Sequence, residues 1–143
     1  MMIYYRTVRL GDTDAAGVVY FATALSICHE AYEASLEQAY INLRKFFNDP
    51  EQAIPIVHGE IDFFRPLFCG EKLEIHLLAR QLKDSEFEIE YQIFKGSSEG
   101  EKAARALTRH VCINPISRQR SRLPDLMVQW LARINTTESE RLY

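Results

Sequence analysis

The sequence predicts an α+β domain in which a five-stranded antiparallel sheet curls around one long helix. Three observations carry this. From about Ala22 to Tyr40 the apolar residues recur at helical spacing. Several later stretches alternate apolar and polar residues, which marks strands with one wet face and hence antiparallel pairing. With a single long helix to cover that sheet, the economical packing has the sheet wrap the helix. A length of 143 residues suits one domain, and a hydrophobic fraction of 47% supplies its core.

In chain order, Ile3 to Leu10 is rich in β-branched and aromatic residues and reads as a strand. The loop GDTDAAG follows. The long helix places Leu25, Cys28, Tyr32, Leu36 and Ala39 on one stripe, with His29, Glu30, Glu33 and Glu37 elsewhere. NLRKFFNDPEQ reads as a short helix or loop ending near Pro50. Ile54 to Phe64 is the second strand, with Gly59 marking a bulge or a close approach to a ligand. Lys72 to Leu82 alternates Leu73, Ile75, Leu77 and Ala79 on one face. Glu86 to Lys95 sets Phe87, Ile89, Tyr91 and Ile93 against Glu86, Glu88, Glu90 and Gln92. GSSEGE is a hairpin connection. Lys102 to Asn114 is the last strand, stopped at Pro115, and Leu126 to Ile134 is a terminal helix before a frayed end. The whole of 1–143 is thus one domain, with a core over about 3–114 and a basic segment plus helix over about 115–143.

The formal net charge of −3 gives no global field for nucleic acid or for a membrane surface, so an anionic ligand needs a local cationic cluster. No apolar run approaches the ~20 residues of a membrane span. The opening residues lack the apolar core of a secretory signal. Three scattered cysteines, Cys28, Cys69 and Cys112, fit reduced thiols better than a disulfide framework. Together these predict a cytoplasmic protein without membrane insertion.

GDTDAAGVVYF, residues 11–21, carries the chemistry. Asp14 stands shortly before the helix, and Ala15, Ala16 and Gly17 let backbone approach another group closely. The first amides of the helix, near Tyr20 to Ala22, face the same space, and a helix N-terminus offers unpaired donors and partial positive charge. A carboxylate beside such donors suits acyl transfer: it attacks a carbonyl or activates water, and the donors take up charge on oxygen. A thioester suits this sparse kit, because a thiolate with a pKa of ~8.5 departs without a strong general acid. The bland alternative for Asp14 is a helix cap or turn residue.

Other clusters are weaker. HEAYE (His29, Glu30, Glu33) resembles half of a zinc motif but lacks its second histidine, so no metal is expected. His58, next to Gly59, is either a hydrogen-bonded core or interface histidine or a donor to a phenolic hydroxyl of the acyl group. His110 and Cys112 share a strand face, but nothing marks an orienting third group. Arg118, Arg120 and Arg122 form the densest basic cluster, either a solvated surface run or a contact for an anionic ligand, since arginine pairs well with phosphate.

GDTDAAGVVYFATALSICHEAYEASL resembles the signature of the 4-hydroxybenzoyl-CoA thioesterase family of hotdog folds. The pattern D-x-D-x-x-G-x-V-x-[FYH] is matched at Asp12, Asp14, Gly17, Val19 and Phe21, and IPIVHGEIDFFRPLFCGEKLEI resembles the next two strands. The resemblance implies a long helix wrapped by an antiparallel sheet, and dimers or tetramers with acyl-CoA sites between subunits. It implies Asp14 as nucleophile or general base, the amide of Phe21 (with Tyr20 beside it) as donor to the carbonyl, and Asp12 as support for the loop. Gly17, Val19, His58 and Gly59 would then line the substrate, with Lys83 and the three arginines as candidate phosphate contacts. No cofactor is implied, since coenzyme A is part of the substrate. Two departures stand out. Many relatives acting on aliphatic esters have histidine where this chain has Phe21, and the basic residues common after the third strand are reduced to Lys83. Within the family, VVYF, CHEAYE and IVHGEIDFF most resemble the 1,4-dihydroxy-2-naphthoyl-CoA thioesterases of phylloquinone-making photosynthetic organisms. The alternatives are a 4-hydroxybenzoyl-CoA or broad short-chain thioesterase, and a hotdog module that binds acyl-CoA or acyl carrier protein without hydrolysis.

Overall fold

The computed structural model describes residues 1–135 and 140–142. One sheet holds β1 (Met2–Thr7), β2 (Ile56–Phe63), β3 (Lys72–Lys83), β4 (Glu86–Lys95), β5 (Lys102–Val111) and β6 (Glu140–Leu142), in the order β2-β5-β4-β3-β1-β6. The helices are α1 (Phe21–Gln38), α2 (Leu43–Phe46) and α3 (Asp125–Ile134).

Five strands pair antiparallel, as their alternation predicts. The pattern of β4 resolves cleanly: Phe87, Ile89, Tyr91 and Ile93 are all buried in the core. Leu73, Ile75, Leu77 and Ala79 of β3 join them. The stripe of α1 that they meet is wider than the sequence suggests. Ala24, Ile27, Cys28, Ala31, Tyr32, Ser35 and Leu36 are buried, while Leu25 is only half-buried. The small residues let the sheet close around the helix, which is the hotdog arrangement. Tyr40 ends the helix in the left-handed region at φ 62°, and the Ile41 amide folds back to the Leu36 carbonyl at 3.0 Å.

The structure departs from the sequence reading in β1, β2 and β5 and at the C-terminal end; β5 stops at Val111 rather than Asn114. β1 stops at Thr7, because Leu10–Asp12 turns into a 3-10 helix that starts the loop. The irregularity in β2 lies between Ile56 and His58; Gly59 pairs regularly with Thr108 and has open space around it. α3 is the terminal helix that the sequence predicts, begun one residue earlier, and it joins the core: Met127, Trp130, Leu131 and Ile134 are buried. Trp130 donates from Nε1 to Ser35 Oγ (3.0 Å) and packs edge-on against Tyr32 and Phe87. Glu140–Leu142 adds a sixth strand, parallel to β1, within the stretch read as frayed; residues 136–139 and 143 lie outside the described residues. All three cysteines are free, and burial pushes the Cys28 thiol up to about 12.

Candidate active site

The loop that carries Asp14 is built by its neighbours. Asp12 is buried and accepts two hydrogen bonds from the Arg6 guanidinium, one of them Nη2 to Oδ1 at 3.1 Å, and a third from the Arg9 amide at 2.8 Å. Those bonds hold its carboxyl below the usual carboxylate range, the Arg6 contact first among the causes. Arg6 also donates from Nε to Glu30 on α1 at 2.7 Å, so β1, the loop and the helix are tied through one side chain.

Asp14 is different. It is exposed, and only Oδ1 is occupied: it accepts from the amides of Ala16 (2.8 Å) and Val18 (3.4 Å). Oδ2 has no protein partner among the described residues. The turn closes through Gly17, whose amide donates to the Asp14 carbonyl (2.9 Å) and whose φ of 82° favours glycine. Asp14 is not the helix cap, because the cap position is Tyr20 and no side chain caps there.

Asp14 lines a cleft of about 480 Å³ with Val19, Tyr20, Phe21, Phe63, Phe64 and Arg65. Aromatic rings dominate its walls, and Tyr20 packs on Phe21 at 4.8 Å between centroids. α1 begins at this wall. Its first turn closes with the Ala24 amide on the Tyr20 carbonyl (3.0 Å), so the amides of Phe21, Ala22 and Thr23 have no acceptor within the helix. Tyr20 corrects the sequence reading. Its amide already donates to the Asp12 carbonyl at 3.1 Å and is not free for an oxyanion; of the two named donors, Phe21 remains. Val19 lines the cleft with a mostly buried side chain, while Gly17 shapes the turn without lining the cleft.

The other named residues do not join Asp14 within one protomer. His58 and Gly59 are exposed on β2, and His58 Nε2 lies 3.9 Å from Glu60. The cleft takes Phe63 from that strand, roughly 16 Å along it at about 3.3 Å per residue. Lys83 and the arginines are at the far end of the sheet. Phe63 pairs with Ala104, whereas Glu86, the register partner of Lys83, pairs with Val111. That is most of the length of β5, roughly 23 Å at about 3.3 Å per residue. Arg120 is paired with Glu86 at 3.0 Å, Arg118 lines a separate cleft with His29 and Ile56, and Arg122 is exposed beside the buried Leu123.

Further residues settle into structural roles. His29 pairs with Glu33 at 3.3 Å, and no group of three metal-binding side chains occurs among the described residues. His110 hydrogen-bonds Thr108 (2.8 Å) and stacks on Phe87, while Cys112 contacts Gln52 and Ser121; they form no nucleophilic pair. Arg65, Phe63 and Phe64 escaped the sequence reading. Their signal was FFRP, a cation between two aromatic residues and a proline.

A family model described as the Thioesterase-like superfamily matches residues 8–131. The 1,4-dihydroxy-2-naphthoyl-CoA hydrolase of Rippkaea orientalis is 58% identical over 135 residues, covering 94% of this chain and 98% of its own. The protein of the same name from Crocosphaera subtropica is 55% identical, covering 91% and 95%. Among solved structures, a 1,4-dihydroxy-2-naphthoyl-CoA thioesterase from Synechocystis superimposes with a TM-score of 0.88 at 37% identity, covering 94% and 97%. With a family match across most of its length and relatives above half identity, the chain belongs to the Thioesterase-like superfamily.

Proposed function

We propose that the protein hydrolyses 1,4-dihydroxy-2-naphthoyl-CoA to 1,4-dihydroxy-2-naphthoate and CoA, as a cytoplasmic step of phylloquinone biosynthesis. One observation carries the reading. A carboxylate with an unpartnered oxygen shares an aromatic-walled cleft with the open amide end of α1. Similarity to relatives named for this hydrolysis selects the acyl group.

The chemistry follows from the two groups. The thioester carbonyl oxygen accepts from the Phe21 amide, where the helix end favours negative charge. Asp14 Oδ2 then either bonds to the carbonyl carbon or takes a proton from a water that does so. Either way a tetrahedral oxyanion forms at the amide. Its collapse breaks the C–S bond and releases the CoA thiolate. On the first route, water then cleaves the acyl–Asp14 anhydride. A naphthoyl ring suits walls made of Phe21, Phe63 and Phe64. Water and the thioester supply every atom, so no cofactor is needed.

The working form is a homo-oligomer, a dimer of hotdogs or a tetramer. β2 is an edge strand with Ile56, Val57 and Phe63 exposed beside Phe64 and Phe68. Unpaired apolar edges of this kind invite a partner strand. Antiparallel pairing of β2 with its copy about a two-fold axis sets the Ile56 end of one protomer against the Phe63 end of the other. His58 and Gly59 then return toward the partner's cleft.

Thiol release from 1,4-dihydroxy-2-naphthoyl-CoA, 4-hydroxybenzoyl-CoA and hexanoyl-CoA tests the reading. The naphthoyl ester should have the highest kcat/KM. Preference for hexanoyl-CoA would refute the assigned substrate, and no release from any ester would refute hydrolysis.

A further inference from the structure

The acyl group of the proposed substrate carries a hydroxyl at C1, ortho to the thioester carbon. Its oxygen lies on the same edge of the ring plane as the carbonyl oxygen, to which it donates an internal O–H···O bond of roughly 2.6 Å. That bond takes up the hydrogen and leaves the hydroxyl oxygen as an acceptor. Seating the carbonyl at the Phe21 amide brings this second acceptor to the same end of the cleft. Among the described residues that line the cleft, only Asp14, Tyr20 and Arg65 have polar side chains. Asp14 as a carboxylate cannot donate, and a guanidinium does nothing else. Arg65 is placed by backbone pairing. Val18 and Phe68 form an antiparallel bridge, and the Val19 amide donates to the Leu67 carbonyl at 2.9 Å. The same register sets Phe21 opposite Arg65, where paired residues lie about 4.5–5.5 Å apart between Cα atoms. On its other side the segment is pinned to β5, since the amides of Phe64 and Arg65 both donate to the Ala103 carbonyl (2.8 and 3.1 Å).

The guanidinium is loosely held. Nη1 donates to the Phe64 carbonyl at 2.8 Å, and Nε stands 3.5 Å from the Glu101 carboxylate. Both side chains of that ion pair are more than half exposed, so solvent screens it. Nη2 has no partner among the described residues. We infer that Arg65 recognises the 1-hydroxyl oxygen and so selects acyl groups hydroxylated next to the thioester. The Phe21 amide takes the carbonyl oxygen, and the fork across from it takes the neighbouring one. A permanent cation holds a phenolic oxygen more strongly than a neutral donor does, because charge-assisted hydrogen bonds are roughly twice as strong. That favours Arg65 over the Tyr20 hydroxyl, whose ring lies on Phe21. An acyl group without the hydroxyl leaves the fork to solvent and Glu101 and gains nothing from it. The inference rests on the thioesterase reading and deepens it, from an aromatic acyl group to one hydroxylated at that position.

1-Hydroxy-2-naphthoyl-CoA and 2-naphthoyl-CoA differ only in that hydroxyl, and thiol release from each reads the selection. Wild type should have the higher kcat/KM on the hydroxylated ester. Arg65→Met, which keeps an unbranched stem without donors, should lower that kcat/KM about tenfold, as loss of a charge-assisted contact does, and move the 2-naphthoyl ester by less than about twofold. Arg65→Lys should recover part of the loss. Tyr20→Phe should preserve the ratio between the two esters, whatever it does to both rates. If the melting temperature shows Arg65→Met to be unfolded, Arg65→Gln gives the same comparison. Equal losses on both esters would put Arg65 on a group the two share, the carbonyl or the carrier, and overturn the inference. A wild type indifferent to the hydroxyl, an unchanged ratio in Arg65→Met, or a ratio lost in Tyr20→Phe instead would also overturn it while leaving hydrolysis intact. A wild-type protein inactive on both esters would overturn the thioesterase reading itself, and the inference with it.

Discussion

Asp12 and Asp14 stand two positions apart, and their surroundings divide them. Asp12 accepts three hydrogen bonds and braces the loop; Asp14 keeps one oxygen open to a cleft. The sequence singles out Asp14 because small residues and a helix follow it. It does not show that the Tyr20 amide is taken by the Asp12 carbonyl, since that bond depends on the path of the folded loop. Arg65 does not stand out in the sequence for a related reason: charge density points to residues 118–122, whereas which cation lines the cleft is decided by how the folded chain pairs. Buried His110 supports a prediction at this scale. Burial holds its imidazole down at about 3, and His29 adds slightly to that shift. The unfolded chain takes up this proton near pH 6.5, the folded protein only near pH 3. The stabilising effect of neutral His110 is therefore complete above pH 6.5 and declines as pH falls toward 3, by ~1.4 kcal/mol per pH unit at most. Urea midpoints at pH 7 and pH 5 should differ less in His110→Phe than in wild type. Equal differences would contradict this account of His110.

At the scale of elements, alternation fixes β3 and β4 almost to the residue, because one face packs into the core with α1, although the other is only partly wet, with Glu74, His76 and Glu86 buried on it. Ends are harder to read. β1 and β5 stop short of their apolar runs where turns draw the chain away, at the 3-10 helix and at Asn114, whose side chain accepts from the Ile116 and Ser117 amides. The weight of α3 was also hidden, since one tryptophan in a ten-residue helix does not announce its partner. Trp130 fills the space between Tyr32 and Phe87 and reaches Ser35. Trp130→Ala should cost about 3–5 kcal/mol as a large core truncation, and Trp130→Phe about 1–2 kcal/mol through the lost hydrogen bond and ring area. Urea unfolding at fixed protein concentration measures both. A loss below about 1 kcal/mol for Trp130→Ala would show that α3 is peripheral.

At the scale of the molecule, helix count and alternation were enough to infer a sheet wrapped on a helix. What they could not reveal is where the sheet ends, because strand order is a matter of long-range pairing. The order leaves β2 at one edge, with exposed apolar residues continuous with the mouth of the Asp14 cleft. Val57 sits on that edge, and lysine is a common natural block to edge pairing. Val57→Lys should lower the solution mass measured by light scattering and reduce thiol release with it. Its effect on the stability of one protomer should stay within about 0.5 kcal/mol, as for other exposed positions. Unchanged mass and activity would place the interface elsewhere.

The central claim is that Asp14 acts on the thioester while its own turn needs only Oδ1. Asp14→Asn keeps an Oδ1 acceptor for the Ala16 and Val18 amides and removes the charge. The most direct measurement is thiol release from 1,4-dihydroxy-2-naphthoyl-CoA by wild type and Asp14→Asn, with melting temperature followed in parallel. The account predicts that kcat falls at least about a hundredfold, the scale of a lost general base or nucleophile, while the melting temperature holds. A folded Asp14→Asn protein with near wild-type turnover would contradict it.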